Sequence, residues 1–154
     1  MQYLALAAVL NRAADYLDAH GLRSGSWGSP GGAVCMDAAL AIALDRDPAA
    51  LGRMWFVNPV SNPTLREVGE VILASGILDQ LPVPAAEPGA RRRLRPAVMD
   101  ARRAVIELAA WSDAPGRTAA TASAALRAQA VALMRTRTAK SQAPRVRELL
   151  PALA

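Results

Sequence analysis

The sequence is poor in the residues from which most catalytic and metal sites are built. Its 154 residues include one histidine, one cysteine and one lysine. The single cysteine, Cys35, excludes an internal disulfide framework and is typical of proteins from a reducing compartment. His20 has no second histidine or nearby thiol with which to form a zinc site of the usual kinds. We therefore expect no catalytic residue, no metal site and no cofactor.

Both residues have structural interpretations. His20 precedes Gly21 at the end of the first predicted helix, where a basic side chain favours the helix dipole. Cys35 would be activated if its sulfur lay at a helix N-terminus, but without a partner histidine we expect it to be a buried, unreactive side chain. Asp37 is expected to cap the helix that follows, or to lie in its first turn.

Aromatic residues and long hydrophobic runs are also scarce. Aromatics make up 4% of the chain, whereas 53% of it is hydrophobic and much of that is alanine. Alanine favours closely packed helices, while a sheet protein would contain more Val, Ile, Thr and Tyr. No apolar stretch reaches the roughly 20 residues of a membrane helix, and the run at 3–10 lacks the flanks of a signal peptide. We predict a cytoplasmic protein without membrane contact.

The residues that are present follow a helical period. Apolar residues spaced by three and four predict a helix over residues 3–20. Asn62-Pro63 and Gly76 carry the start and stop signals of another helix. Residues 37–45 are apolar almost all round, which predicts a buried central helix. The fold class is therefore mostly all-α, a compact bundle of about five to six helices.

We predict one helical domain over residues 1–135 and a basic C-terminal tail over 136–154, with room for a short docking helix. Within the domain, residues 104–134 are predicted to form a helical hairpin, whose second helix returns alongside the first. Trp111 would end the first helix, Asp113 would form a local turn, Arg117 would pair with a carboxylate, and Thr118 would cap the second helix.

Glycine and serine residues dominate the segment between the first helix and Cys35. The segment predicts a small β-hairpin near residues 25–36. Glycine-rich turns also bind phosphates, but the spacing of the phosphate-binding motifs is absent. We therefore favour the hairpin.

Charge is unevenly distributed along the chain. Residues 1–90 contain five arginines and nine acidic residues, whereas residues 91–154 contain twelve arginines, one lysine and four acidic residues. Pro96 is expected to begin a helix within the basic region. The candidate nucleic-acid-binding residues are Arg91, Arg92, Arg93, Arg95, Arg102 and Arg103. Such residues can neutralise phosphates. A solvated arginine-rich surface from GC-rich coding is the favoured explanation, because no aromatic residues alternate with the arginines to stack on bases.

The largest apolar cluster, Trp55, Phe56 and Val57, is either core or a contact site for a partner. The favoured function is a non-enzymatic helical protein-interaction or accessory, regulatory module, whose partner is another protein or a second copy of this chain. One alternative is a nucleic-acid-binding protein that uses the arginine-rich half. Another is an enzyme of unknown type, which the sequence supports least.

Three blocks, Arg12–Gly21, Gly32–Leu40 and Ala109–Thr118, together carry a recognisable pattern. In order, they contain His-Gly at a helix end, Gly-x-x-Cys before a helix, and Trp-x-Asp followed by Arg-Thr. This pattern resembles a family of small, uncharacterised proteins found mainly in actinobacteria and their mobile elements. Members of the family typically have tryptophan, glycine and asparagine where this sequence has Leu22, Asp37 and Ser112. The resemblance implies a succession of helices with a small hairpin, and no activity.

Overall fold

The computed structural model describes residues 2–29, 31–45, 62–81 and 100–149, with side chains described as far as residue 138. Six helices lie in this part of the chain: α1 (Tyr3–His20), α2 (Met36–Asp45), α3 (Pro63–Ser75), α4 (Ile77–Gln80), α5 (Ala101–Asp113) and α6 (Ala119–Leu149). The predicted all-α bundle of five to six helices is confirmed. Not one of the described helices has the length and hydrophobicity to span a membrane.

Local capping sets the bounds of α3 as predicted. The Oδ1 atom of Asn62 accepts hydrogen bonds from the backbone nitrogens of Thr64 and Leu65, at 2.9 and 3.4 Å. Pro63 is the first residue of the helix, a position whose N–H group would have no partner within the helix, so the lack of this group in proline costs nothing. Gly76 ends the helix in the left-handed conformation, with φ of 70°.

The start of α5 differs from the prediction. The helix begins at Ala101, not at Pro96, and the carboxylate of Asp100 accepts a hydrogen bond from the backbone nitrogen of Arg103 at 2.8 Å. An aspartate cap satisfies a first-turn N–H group, which a proline alone does not. The start of α6 agrees with the prediction, because Thr118 Oγ1 accepts from Thr121 N at 3.1 Å.

Helix α6 is longer than expected. The predicted hairpin ended at residue 134, but the described backbone stays helical to Leu149. The division of the chain into a domain and a tail at residue 135 remains a prediction.

The helices pair by their buried faces. Helix α1 packs mainly along α6 and also against α2, and α3 packs mainly against α5. The predicted hairpin of residues 104–134 is therefore wrong, because α5 and α6 are consecutive but lie against different helices. The buried residues that α1 and α6 contribute are Leu6, Leu10, Ala13, Leu17, Ala122, Leu126, Ala130 and Leu133. These alternating large and small side chains let the two helices approach closely.

Helix α2 is the central element, and every residue from Met36 to Ala43 is buried. Its C-terminal end is held by Arg12 of α1, whose Nε donates to the carbonyl oxygen of Ala43 at 3.0 Å. Arg12 thereby supplies a partner for one of the last carbonyl groups of α2, which have none within the helix.

The segment predicted as a β-hairpin makes two isolated bridges instead of strands. Val34 pairs with Leu22 and with Gly28, so one residue serves two neighbours. Gly28 has a φ of 97°, and a Cβ atom there would lie 2.2 Å from the carbonyl oxygen of Ala33. The close approach of the chain to itself at this point therefore requires glycine at position 28.

We predict that Gly69→Ala destabilises the bundle. A Cβ atom at Gly69 would lie 2.2 Å from the carbonyl oxygen of Ala101, at the contact between α3 and α5. Overpacking costs about 1–3 kcal/mol or more, which exceeds the ~0.5–1 kcal/mol that alanine gains in a helix. Urea unfolding should show the loss.

Gly32→Ala is the matched control, because its Cβ atom would meet nothing closer than 3.6 Å. Equal stability of the Gly69 variant and wild type would contradict the tight contact of α3 with α5.

Candidate functional site at the junction of the glycine-rich loop with α5

The glycine-rich loop between α1 and α2 is attached to the end of α5 by hydrogen bonds. The backbone nitrogen of Gly25 donates to Asp113 Oδ1 at 2.7 Å. The Ser24 hydroxyl lies 3.5 Å from the carbonyl oxygen of Ser112. We call the cluster formed by Ser24, Gly25, Cys35–Asp37, Ser112 and Asp113 the junction.

Ser112 also holds the first residue of α2. Its Oγ atom accepts a hydrogen bond from the backbone nitrogen of Met36 at 3.3 Å, and both side chains are fully buried. The first N–H groups of a helix have no partner within the helix. Ser112 therefore supplies a cap for α2 from a helix that lies 76 residues away in the sequence.

Asp37 lies beside this cap in the first turn of α2. Its side chain is fully buried, and neither carboxyl oxygen has a hydrogen-bond partner. Burial raises the pKa of Asp37 well above its usual value, and the negative charge of Asp113 raises this pKa further. Asp37 is therefore a neutral carboxylic acid over a wide range of pH, not the ionised cap that its position in the sequence suggests.

Cys35 is buried beside the same groups. Burial raises the pKa of its thiol to about 12, and Asp37 contributes to the increase. At pH 8 the thiolate fraction would be on the order of one in ten thousand, and only the thiolate is a good nucleophile. The prediction of a buried side chain is confirmed, and the junction holds two protonated groups.

The α5–α6 connection packs against the end of α5. The guanidinium carbon of Arg117 lies 4.4 Å from the centre of the Trp111 ring, and Arg117 Nε donates to the carbonyl oxygen of Trp111 at 3.2 Å. The prediction that Arg117 pairs with a carboxylate is therefore wrong, because its guanidinium group makes a cation–π contact with Trp111. The chain does turn after α5, over residues 114–116. The Asp113 side chain does not make the local contact predicted for it, because its Oδ1 atom accepts a hydrogen bond from the backbone nitrogen of Gly25, 88 residues away.

His20 lies at the end of α1, as predicted. Its ring stacks on Tyr16, with the centroids 4.2 Å apart, and the Tyr16 hydroxyl donates to the carbonyl oxygen of Gly32 at 3.2 Å. Within the ranges that the structure describes, no three His, Cys, Asp or Glu side chains are grouped so that they could hold a metal ion.

The other sequence-predicted site residues lie mostly outside the described ranges. This is the case for Trp55, Phe56 and Val57, and for the four arginines at positions 91, 92, 93 and 95. Arg102 is exposed and shares a surface depression with Arg66 and Glu70. Arg103 forms an ion pair of 2.6 Å with Glu107. The two candidate nucleic-acid-binding arginines that the structure describes therefore lie among carboxylates.

Sequence reasoning missed the role of Ser112 and the depth of Asp37. A usable signal existed for Asp37, because an aspartate that opens an otherwise apolar helix has few chances to reach water. No comparable signal existed for Ser112, whose partner is defined only by the tertiary fold.

Comparison with known proteins identifies a family without indicating an activity. The model of a family of unknown function, DUF6197, matches residues 1–132. Neither the curated proteins nor the solved structures include a match. The expected resemblance to an uncharacterised family is confirmed, and the matched range contains the whole junction.

We predict that Asp37→Asn stabilises the protein, and that the gain grows with pH. Above the usual value of 3.8 the unfolded chain loses this proton, whereas the folded protein keeps it because its pKa is raised. Wild-type stability therefore falls as pH rises towards the folded pKa, by up to about 1.4 kcal/mol per pH unit, and asparagine removes this term. Urea unfolding between pH 4 and 8 measures the difference.

Asp79→Asn, at an exposed position in α4, is the control and should not alter the slope of stability against pH. An Asp37 variant with the wild-type slope would show that the carboxyl group is ionised in the folded protein.

Proposed function

The chain belongs to the family of unknown function DUF6197, and we propose that it is a helical protein-interaction module rather than a catalyst. The observation that carries this proposal is an uncharged stretch on the outer side of α6. Residues on the solvent side of a bundle helix are normally charged or polar, so an uncharged stretch suggests a surface that another protein covers.

The outward residues of α6 recur at intervals of three and four. They are Thr121, Ala124, Ala128, Val131, Arg135 and Thr138, all exposed. Val131 is 50% exposed and lies in the middle of this series. The spacing is that of a helix that packs along another helix, and alanine permits a close approach.

The charged residue within this stretch is directed sideways. Arg127 reaches from α6 to α1, where its guanidinium pairs with Asp15 and Asp18 at 2.6 and 2.8 Å. Leu4, 51% exposed, adds a second large apolar side chain near the start of α1. We call this surface the α1–α6 face; it consists of Leu4, Asp15, Asp18, Ala124, Ala128, Val131 and Arg135.

The side chains that could take part in catalysis have structural contacts, which supports the non-catalytic part of the proposal. Cys35 is buried as a thiol, Asp113 binds the loop at Gly25, and His20 stacks on Tyr16. Each of these side chains has a role in holding α1, α2 and α5 together. The Trp55, Phe56 and Val57 cluster remains a second candidate contact region, proposed from the sequence.

We predict that Val131→Glu weakens binding of the natural partner about tenfold or more. A charge placed in the centre of a covered apolar surface loses hydration when the partner binds, and a tenfold change corresponds to about 1.4 kcal/mol. The partner would be identified by crosslinking in the native cell, purified, and titrated with both proteins by calorimetry.

Ile106→Glu is the matched control, since Ile106 is 41% exposed and lies on α5. Equal affinities of the Val131 variant and wild type would remove the α1–α6 face from the interaction. The double variant Trp55→Ala, Phe56→Ala tests the sequence-predicted cluster in the same assay, and full binding by it would argue against that cluster.

The alternative proposal is nucleic-acid binding through the arginine-rich half. It is supported by the exposure of Arg102, which follows the run at 91–95 in the sequence. We expect low-salt binding of DNA or RNA that weakens steeply as salt increases, and a smaller salt dependence after replacement of Arg91, Arg92, Arg93 and Arg95 by alanine. Fluorescence anisotropy across a salt series measures both. No affinity at low salt would end this alternative.

A further inference from the structure

We infer that the partner of the α1–α6 face is a second copy of this chain, with its α6 packed antiparallel to the first. This inference rests on the proposed function and names the occupant of the same surface. It follows from how large, small, basic and acidic side chains are distributed along the face.

Contacts between α1 and α6 fix the relative level of residues on the two helices. Arg127 of α6 bonds to Asp15 and Asp18 of α1. Further along, Arg137 lines the same surface cavity as Tyr3 and Leu4. The helices therefore run antiparallel, and one turn before Arg127 the exposed Ala124 lies level with Asp18.

The apolar side chains of the face are complementary to themselves. A two-fold axis midway between Ala128 and Val131 would place Val131 of each copy opposite Ala128 of the other. The bulky outward side chain of Val131 would then pack against the methyl group of Ala128, as a knob packs into a shallow hole. In this register Thr121 lies opposite Thr138, so no large side chains collide.

The charges of the face are complementary in the same register. Arg135 of one copy lies opposite Ala124 of the other, and hence close to Asp18. Asp18 is 46% exposed and Asp15 is 70% exposed, although both already pair with Arg127. Arg135 is exposed as well. A parallel arrangement would instead place Arg135 beside its own copy, and like charges at close range oppose association.

The size of the face indicates how strongly the copies bind. From Thr121 to Arg135, α6 extends about 21 Å, and two adjacent helices are about 20 Å wide. Each copy therefore buries on the order of 400 Å², or about 800 Å² in total, which is less than the roughly 1,000 Å² of a stable complex and corresponds to a weak, transient one. We expect a dimer that forms with increasing protein concentration, in the micromolar range or weaker.

Cysteine crosslinking tests both the partner and its direction. In the antiparallel register Ala124 lies opposite Arg135, whereas the two Ala124 residues are about 16 Å apart, too far for a disulfide. We expect a mixture of the single variants Ala124→Cys and Arg135→Cys to form a disulfide-linked dimer under glutathione redox buffer, and each variant alone to form little. The buried Cys35 thiol, with its pKa raised to about 12, should not interfere.

Sedimentation velocity of the wild type across a concentration series accompanies the crosslinking. A concentration-dependent shift towards a dimer, abolished by Val131→Glu and retained by Ile106→Glu, is the expected result. A crosslink by Ala124→Cys alone would overturn the antiparallel arrangement. A monomer at every concentration, without crosslinks, would overturn the second copy as partner. A monomeric protein would leave the proposed function standing if calorimetry shows that the α1–α6 face binds a different, identified protein.

Discussion

The bond from Met36 N to Ser112 Oγ is the contact on which the central part of the structure depends. Helix α2 is buried from Met36 to Ala43, so its first N–H groups cannot bond to water. A buried N–H group without a partner costs about 1–3 kcal/mol. Ser112 provides the partner, and in doing so it fixes the end of α5 against the start of α2. Asp113, the next residue, then holds the loop at Gly25, so two adjacent side chains connect three separate segments.

Local signals predicted most helix ends, because they depend on neighbouring residues. Asn62 and Gly76 bound α3, and Thr118 begins α6, through contacts within four residues. The junction could not be predicted in this way. Its bonds join residues 76 and 88 positions apart, and Asp113 followed by Pro115 and Gly116 has the local composition of an ordinary turn. The start of α5 shows that local signals can also mislead, since Pro96 was predicted to begin the helix and Asp100 caps it instead.

The position of α6 shows why sequence proximity was a poor guide to packing. A short connection after α5 suggested that α6 packs back along α5. Such packing requires that the buried faces of the two helices fit each other. The row of large residues on α1 fits the alternating alanines and leucines of α6, while Gly69 allows α3 to meet α5 at Ala101. Arg117 stacks on Trp111 and bonds to its carbonyl oxygen, which completes the end of α5 without a returning helix.

Alanine on both sides of α6 has two different explanations. The inward alanines 122 and 130 are buried and allow the close approach of α1. The outward alanines 124 and 128 have no such contact within the described chain. GC-rich coding does not explain them, because it would favour arginine at these positions as readily as alanine. A solvated helix gains from charged pairs on its outer surface, yet the arginine here turns to α1 and leaves the centre of the face uncharged. An uncharged centre between an acidic end and a basic end would make this surface complementary to a second, antiparallel copy of itself.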